Sequence, residues 1–235
     1  MYNDVIGIVG GMGSYATLSF FERLLDAFPG EKEWDRPRII IDNRCTMPSR
    51  VRAILYHEKE KELAEQLADS VKRLLDAGAT KIVLACNTSH YFLPEIYNRV
   101  PEAEGKVLNI IDTTAKKVAS VKGVKTVSLL ASEGTIDTHI FDKALLNRGI
   151  NVITPSGEEY ELQRIIIESV KQRKITSKEI QLLIRLINSA QSEVVIIGCT
   201  EFPVIFKEIP KEQIKDKIVI DPLQCAIEIL LEEIK

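Results

Sequence analysis

The stretch KIVLACNTSH, residues 81–90, carries a short apolar run into a cysteine and then into small polar residues. Residues 82–85 show no polar alternation, which is typical of a parallel strand buried on both faces. Ligands of such sheets bind beyond the carboxyl ends of the strands, and Cys86 stands at that end. Residues 87–89 are all favoured helix N-cap types, so we expect a helix start whose backbone N–H groups favour the thiolate form of Cys86.

A second copy of this pattern lies in the other half of the chain. EVVIIGCTEFPVIF, residues 193–206, is again an apolar run that ends in a cysteine, Cys199, 113 residues after Cys86. A weaker pair joins VIGIVGGMGS, from Val5, to TVSLLASEGT, from Thr126. A single buried cysteine is usually inert. Two copies offset by about half of the 235 residues instead predict a duplicated α/β unit with one thiol in each half.

Two thiols on opposing halves favour one chemistry. Inversion of a carbon stereocentre without a cofactor requires one group to remove a proton and another to return a proton to the opposite face. Cysteine is among the side chains that perform such transfers. The alternative is a disulfide, whose Cα atoms would have to lie within about 7 Å. Disulfides are rare in cytosolic proteins, so we favour the acid/base pair.

Composition limits the remaining possibilities. The chain has 235 residues, 45% of them hydrophobic, which is enough to bury one large core or two smaller ones, and we expect two domains. Its 31 basic and 34 acidic residues are mixed throughout, so we expect no nucleic-acid partner. We find no signal peptide and no run long enough to span a bilayer, and we predict a cytoplasmic protein without a membrane partner. The four cysteines lack zinc-type spacing, so we predict no metal site.

A glycine-rich loop near the start offers a competing interpretation. GMGSYA, residues 11–16, fits the G-x-G-x-x-A pattern of dinucleotide-binding folds, and Asp42 follows the next apolar strand, 38–41. A dinucleotide cofactor would leave the paired cysteines unexplained. We therefore favour a loop that lets the backbone approach a small anionic ligand at a helix N-terminus.

Arginines gather in the loop DNRCTMPSRVR, residues 42–52, just beyond a predicted strand end. A guanidinium there could hold a carboxylate with two hydrogen bonds, although at least two of the three arginines fit solvated surface positions as well. The apolar period over 53–77 predicts one long amphipathic helix that Gly78 ends.

The rest of the chain continues the α/β alternation. We predict strands at 107–111, 125–130, 150–153 and 218–220, and helices at 91–100, 158–174, 179–190 and after Pro222. The fold class is α/β: two similar parallel-sheet domains related by a pseudo-twofold, with the active site in the cleft between them. We place residues 1–111 plus 210–235 in the first domain and 112–209 in the second.

Three motifs together resemble one family. GIVGGMGSYAT near the start, ACNTSH around Cys86 and GCTE around Cys199 are similar to the aspartate/glutamate racemase family, specifically its aspartate racemase branch, and His90 favours that branch. The resemblance covers nearly the whole chain. It implies an enzyme without a cofactor, a small-molecule amino-acid substrate, two α/β domains with the site between them, and a homodimer.

The resemblance also implies residue roles. Cys86 and Cys199 would be the two opposed acid/base catalysts. Six residues would hold or help to hold the α-carboxylate and the amino group: Met12, Gly13, Asn87, Thr88, Thr200 and, from the mirrored loop, Thr135. PSR at 48–50 resembles the P-D-R of the family, with Ser49 as a departure, which makes Arg50 the candidate to hold a side-chain carboxylate.

A further departure concerns the substrate. Where aspartate racemases offer a lysine to the side-chain carboxylate, the stretch QRIIIESVK aligns Glu168, which would repel an acidic side chain. Lys171, one turn later, could supply the charge instead. We therefore expect two-base racemisation of aspartate or glutamate, or of a non-acidic amino acid if Glu168 lines the pocket. A related isomerase of the maleate isomerase or hydantoin racemase type is the alternative, and an NAD-dependent dehydrogenase is a weaker one.

Overall fold

A computed structural model describes residues 2–234, in which eight strands form two parallel sheets of four. The strands are β1 (Val5–Gly10), β2 (Arg38–Asn43), β3 (Lys81–Leu84), β4 (Val107–Leu108), β5 (Thr126–Leu130), β6 (Asn151–Ile153), β7 (Val194–Ile197) and β8 (Ile218–Ile220). The first sheet has the order β2-β1-β3-β4 and the second the order β6-β5-β7-β8. The same order in both sheets confirms the duplicated α/β unit that the sequence predicts.

Helices connect these strands, as parallel pairing requires. They are α1 (Ser14–Ala27), α2 (Arg50–Tyr56), α3 (Glu60–Asp76), α4 (Leu93–Arg99), α5 (Ile110–Ala119), α6 (Glu133–Asp137), α7 (Ile140–Leu146), α8 (Glu158–Lys171), α9 (Ser177–Ser189), α10 (Phe202–Phe206) and α11 (Pro222–Glu233). Short 3₁₀ turns add Glu33–Asp35, Thr88–Phe92, Pro101–Ala103 and Lys211–Gln213. Between residues 2 and 234, no helix combines the length and the apolar character needed to cross a membrane.

The two cysteine strands are central in their sheets and buried on both faces. Along β3, Ile82 and Leu84 pack into a core with α3 and α4, while Val83 packs into a second core. That second core is shared, because it also contains Ile196 of β7. The opposite face of β7 packs against α8, α9 and α10. Burial on both faces explains why neither apolar run alternates with polar residues.

Strand β8 corrects one expected placement. It pairs in parallel with β7, with Val194 opposite Ile218, and so belongs to the second sheet, whereas we expected 210–235 to return to the first domain. Helix α11 packs mainly against α5 and also touches α1. Apart from β8, the division into 1–111 plus 210–235 and 112–209 stays a prediction.

Two other elements differ from their expected bounds. The expected helix over 53–77 is divided into α2 and α3 by His57 and Lys59, both with left-handed backbone (φ 55°). Helix α2 also begins earlier, because the side chain of Ser49 accepts a hydrogen bond from the N–H of Arg52 at 3.3 Å. The strand expected over 107–111 ends at Leu108, because Asn109 caps α5.

Candidate active site

The two cysteines lie on one cavity of about 50 Å³. Cys86 is the second residue after β3 and Cys199 the second after β7, so each thiol stands at the carboxyl end of an inner strand of its own sheet. Five more of the expected residues line the same cavity: Met12, Arg50, Asn87, Thr88 and Thr200. Both cysteines are free thiols rather than partners in a disulfide. The duplicated topology therefore brings the two thiols to a common site, as the paired motifs predict.

A buried histidine holds the backbone at Cys86. His90 Nδ1 lies 3.0 Å from the carbonyl oxygen of Cys86, and His90 Nε2 accepts the N–H of Ile110 at 3.3 Å. Because a backbone N–H can only donate, Nε2 is the acceptor and Nδ1 carries the proton. Burial lowers the pKa of His90 to about 4, so the ring is neutral at pH 7. The helix start expected at residue 87 is instead a 3₁₀ turn, Thr88–Phe92, with α4 following it.

The surroundings of Cys199 are different. Its thiol donates a hydrogen bond to Oε2 of Glu201 at 3.0 Å. Burial, together with the carboxylate of Glu201, raises the pKa of Cys199 well above its ordinary value. Cys199 is therefore a protonated thiol near neutral pH, the form that can give a proton. Glu201 was not among the expected site residues, although it is the last letter of the GCTE motif.

Gly13 is explained by the same carboxylate. Glu201 is 3% exposed, and its Oε1 has no hydrogen-bond partner among the described residues. A Cβ placed on Gly13 would lie 2.6 Å from that oxygen. Gly13 does not line the cavity, so its place in the site is to leave room for Glu201.

Thr135 contacts a residue that lines the cavity but does not line the cavity itself. Its hydroxyl lies 2.7 Å from that of Thr88, and Ser132 lies 3.2 Å from Thr88 in the same hydroxyl network. Ser132 itself lines the cavity and Thr135 does not. The mirrored loop of the second sheet thus fixes a residue of the first. Close packing of the two units supports this, since a Cβ on Gly134 would lie 3.2 Å from the Cα of Val51.

Arg50 lines the cavity, but its terminal nitrogens are occupied. They donate to the carbonyl oxygens of Met12 at 2.5 Å and of Pro48 at 3.0 Å, which ties the arginine loop to the glycine loop. The Nε of Arg50 is buried without a partner among the described residues, and so are both side-chain polar atoms of Asn87. Buried polar groups are normally paired. Asn87 therefore marks a place where the polar groups of a ligand would bind.

The sequence leaves open whether Glu168 or Lys171 of α8 faces the substrate side chain. Lys171 lines the cysteine cavity, and Glu168 lines a neighbouring cavity of about 380 Å³. Lys171 Nζ donates to Glu168 Oε1 at 2.9 Å. Although burial alone would lower it, the pKa of Lys171 is raised by the carboxylates of Glu168 and Glu201, so this side chain is a cation at the edge of the site.

The glycine at position 11 is explained by the packing of the chain itself, without a bound dinucleotide. Gly11 has a positive φ of 84°, and a Cβ there would lie 2.4 Å from the backbone carbonyl carbon of Arg44. The space beside Gly11 is thus filled by the chain's own backbone. Met12, the next residue, lines the cysteine cavity. The loop thus contributes to the wall of the cysteine cavity through Met12, and the expected approach of its backbone to an anionic ligand stays a prediction.

Comparison with known proteins gives consistent results. A family model described as Asp/Glu/Hydantoin racemase matches residues 9–230. The broad specificity amino-acid racemase RacX of Bacillus subtilis is 25% identical over 214 residues, 88% of this chain and 90% of that protein. The structure of Picrophilus torridus aspartate racemase is 27% identical, with a TM-score of 0.83 over 98% of this chain and 94% of that one. A glutamate racemase of Lactobacillus helveticus is 26% identical over 94% of this chain and 77% of that protein.

Proposed function

This chain belongs to the Asp/Glu/hydantoin racemase family of isomerases, and we propose that it racemises a free amino acid without a cofactor, using Cys86 and Cys199 as two bases. One observation carries the proposal: both cysteines line a single cavity, and each follows an inner strand of its own sheet. The family and the racemase names of its relatives support the reaction type. The cysteine pair supports the mechanism.

In the proposed mechanism, the thiolate of Cys86 removes the α-proton and the thiol of Cys199 gives a proton to the opposite face of the same carbon. Cys86 is then the thiol and Cys199 the thiolate, and exchange with solvent restores the starting forms. The raised pKa of Cys199 suits it to start as the acid. In the reverse direction Cys199 must lose its proton first, and Glu201 Oε2, which already accepts its hydrogen bond at 3.0 Å, is placed to receive it.

The weakly acidic α-proton makes stabilisation of the carbanionic intermediate the main demand. Negative charge that develops on the substrate carboxylate would be met by donors at the cavity wall. We assign this role to the buried amide of Asn87 and the hydroxyls of Thr88 and Thr200, all of which line the cavity. Lys171 adds a positive charge at the edge of the same cavity.

The test is α-proton exchange. The reduced protein is incubated in D₂O with single L-amino acids, exchange is followed by NMR and product chirality by chiral chromatography. We expect exchange with racemisation, and a loss of at least about 100-fold on Cys86→Ala or Cys199→Ala, the size of one acid/base group. Cys45→Ala is the matched control, because Cys45 is exposed and lies outside the cavity. Full activity in either cavity variant would contradict the two-base mechanism.

A second candidate follows from the family description, which includes hydantoin racemases. An enzyme of that type, or of the maleate isomerase type, would use the same cysteine pair on a substrate other than a free amino acid. The same experiment separates them: exchange with 5-substituted hydantoins, or turnover of maleate, without exchange on any amino acid would replace the first proposal by the second.

We also propose that the protein is a cytoplasmic homodimer. The support is the resemblance of its motifs to the family. Size-exclusion chromatography with light scattering should then give twice the chain mass of 26.4 kDa. A mass of one chain across the working concentration range would contradict the dimer.

A further inference from the structure

A larger cavity adjoins the cysteine cavity. Its volume is about 380 Å³, within the roughly 300–1,000 Å³ typical of small-molecule sites. The cysteine cavity, at about 50 Å³, is far smaller. The two share five lining residues: Ser49, Val51, Ser132, Ile167 and Lys171. A ligand whose reacting carbon lies between the thiols would therefore extend its remaining atoms into the larger cavity.

The cations that line this larger cavity are already paired. Each of the three is held by a carboxylate: Arg52 by Glu58 at 2.6 Å, Arg164 by Glu161 at 2.5 Å and Lys171 by Glu168 at 2.9 Å. An acidic side chain entering the cavity would have to compete with these carboxylates. The cavity therefore offers an anion no cation that lacks a carboxylate partner.

One carboxylate on the wall of this cavity lacks such a partner. Glu133 lines the cavity and has no ion-pair partner in the part of the chain that the structure describes. Its charge acts on the cavity wall, because burial and the carboxylate of Glu133 together raise the pKa of the neighbouring Tyr160. Glu133, which is exposed, is thus the charged side chain on this wall that has no opposite charge paired with it among the described residues.

A buried hydrogen-bond acceptor on the same wall also favours a ligand group that donates hydrogen bonds. Gln163 is 1% exposed and donates from Nε2 to the carbonyl oxygen of Glu159 at 3.2 Å. Its Oε1 is buried without a hydrogen-bond partner within residues 2–234. A buried acceptor is costly until a donor binds it. Gln163 thus favours a ligand group that carries N–H or O–H.

We propose that this cavity holds the substrate side chain and that it selects a long side chain ending in a cation, as in lysine, ornithine or arginine, over the carboxylate side chains of aspartate and glutamate. The proposal rests on the racemase function proposed above. Glu133 supplies the unpaired negative charge and Gln163 the unpaired acceptor. Lys171, bound to Glu168, separates the side-chain cavity from the thiols.

The test compares kcat/KM for racemisation of lysine, arginine, norleucine, aspartate and glutamate. Norleucine has the apolar chain of lysine without its ammonium group, so the lysine-to-norleucine ratio isolates the charge. We expect lysine or arginine to exceed norleucine, and norleucine to exceed aspartate and glutamate. Because each comparison uses one preparation, partial loss of folded protein cancels from the ratio.

Glu133→Gln should lower the lysine-to-norleucine ratio by about two- to fivefold, the size of an exposed ion pair. Asp137→Asn, at an exposed acidic position at the end of the same helix and outside the cavity, should leave the ratio unchanged. Gln163→Met should raise KM for lysine more than for norleucine, because it removes the acceptor with little change in volume.

The outcomes separate the two proposals. Exchange with no amino acid would overturn the racemase function and this inference with it. Exchange that favours aspartate or glutamate would keep the racemase function and overturn the inference. A lysine preference that is the same in the protein, in Glu133→Gln and in Gln163→Met would also overturn it, because the side chain would then lie elsewhere.

Discussion

The loops after β3 and β7 occupy equivalent places in two sheets of the same order, yet they surround their cysteines differently. In the first loop a neutral histidine, His90, forms a hydrogen bond with the backbone carbonyl of Cys86 rather than with its thiol. In the second a carboxylate, Glu201, bonds to the thiol of Cys199 directly. The duplicated fold thus provides the two positions, and the side chains that follow each cysteine set its chemistry. A two-base enzyme must hold one thiol as an acid while the other acts as a base, and this difference favours that division.

The largest expected effect is on the Cys86 side. His90→Leu would leave the carbonyl of Cys86 and the N–H of Ile110 buried without partners. We expect a loss of about 2–4 kcal/mol in the free energy of unfolding, measured by urea titration. Gln181→Leu is the control: Gln181 is exposed on α9, and its replacement should change the free energy by no more than about 0.5 kcal/mol. An equal effect of both variants would contradict a structural role for His90.

The same histidine predicts a pH dependence. Its pKa is about 4 in the folded protein against an ordinary 6.5, because burial disfavours the charged ring. The unfolded chain therefore binds a proton that the folded protein does not. Stability from this group is complete above about pH 6.5 and is lost as the pH falls towards 4, by up to about 3 kcal/mol. Urea titrations at pH 7, 5.5 and 4.5 should show this slope in the protein and a shallower one in His90→Leu. Parallel slopes would mean that His90 titrates normally.

Replacing Glu201 tests the surroundings of Cys199 in the same way. Glu201→Gln removes the anion that helps to raise the pKa of Cys199, and it removes the proposed acceptor of the thiol proton. We expect racemisation to fall by about 100-fold, or about 2.7 kcal/mol, while alkylation of Cys199 by iodoacetamide at pH 8 becomes faster. Glu208→Gln, at an exposed position just after α10, should change neither rate. Slower alkylation in Glu201→Gln would show that the carboxylate does not hold the thiol in its protonated form.

The sequence predicts the strand that bears each cysteine because burial on both faces leaves an uninterrupted apolar run, and such runs can be read without a structure. It also predicts which loops of one sheet approach one another, since parallel strands end at one edge. The two cysteine loops belong to different sheets, and only the duplication predicts that they meet. The sequence could not distinguish Glu168 from Lys171, because a difference of one turn in α8 depends on how the helix lies against the cleft. The side-chain contact between Glu201 and Cys199 likewise depends on the local chain path after β7, although both letters belong to one motif.

The boundaries that the sequence missed have local causes. Left-handed backbone at His57 and Lys59 interrupts a helical pattern, and neither residue is the glycine that usually marks such a point. Strand β8 has only three residues, too few to show by their pattern which sheet they join. Its partner is decided by the packing of the two units rather than by its own residues.

The smallest expected effect tests whether the glycine loop contributes to the difference between the two cysteines. Gly13→Ala would place a Cβ 2.6 Å from Oε1 of Glu201, so the carboxylate must move away from its position beside Cys199. We expect kcat to fall by about tenfold, or about 1.4 kcal/mol, with KM little changed, since Gly13 does not line the cavity. If the loss acts through Glu201, Gly13→Ala should have little further effect in the Glu201→Gln background, where the carboxylate is already absent. Additive losses in the double variant would instead mean that Gly13 acts on the substrate through its own backbone, and that the glycine loop serves both thiols equally.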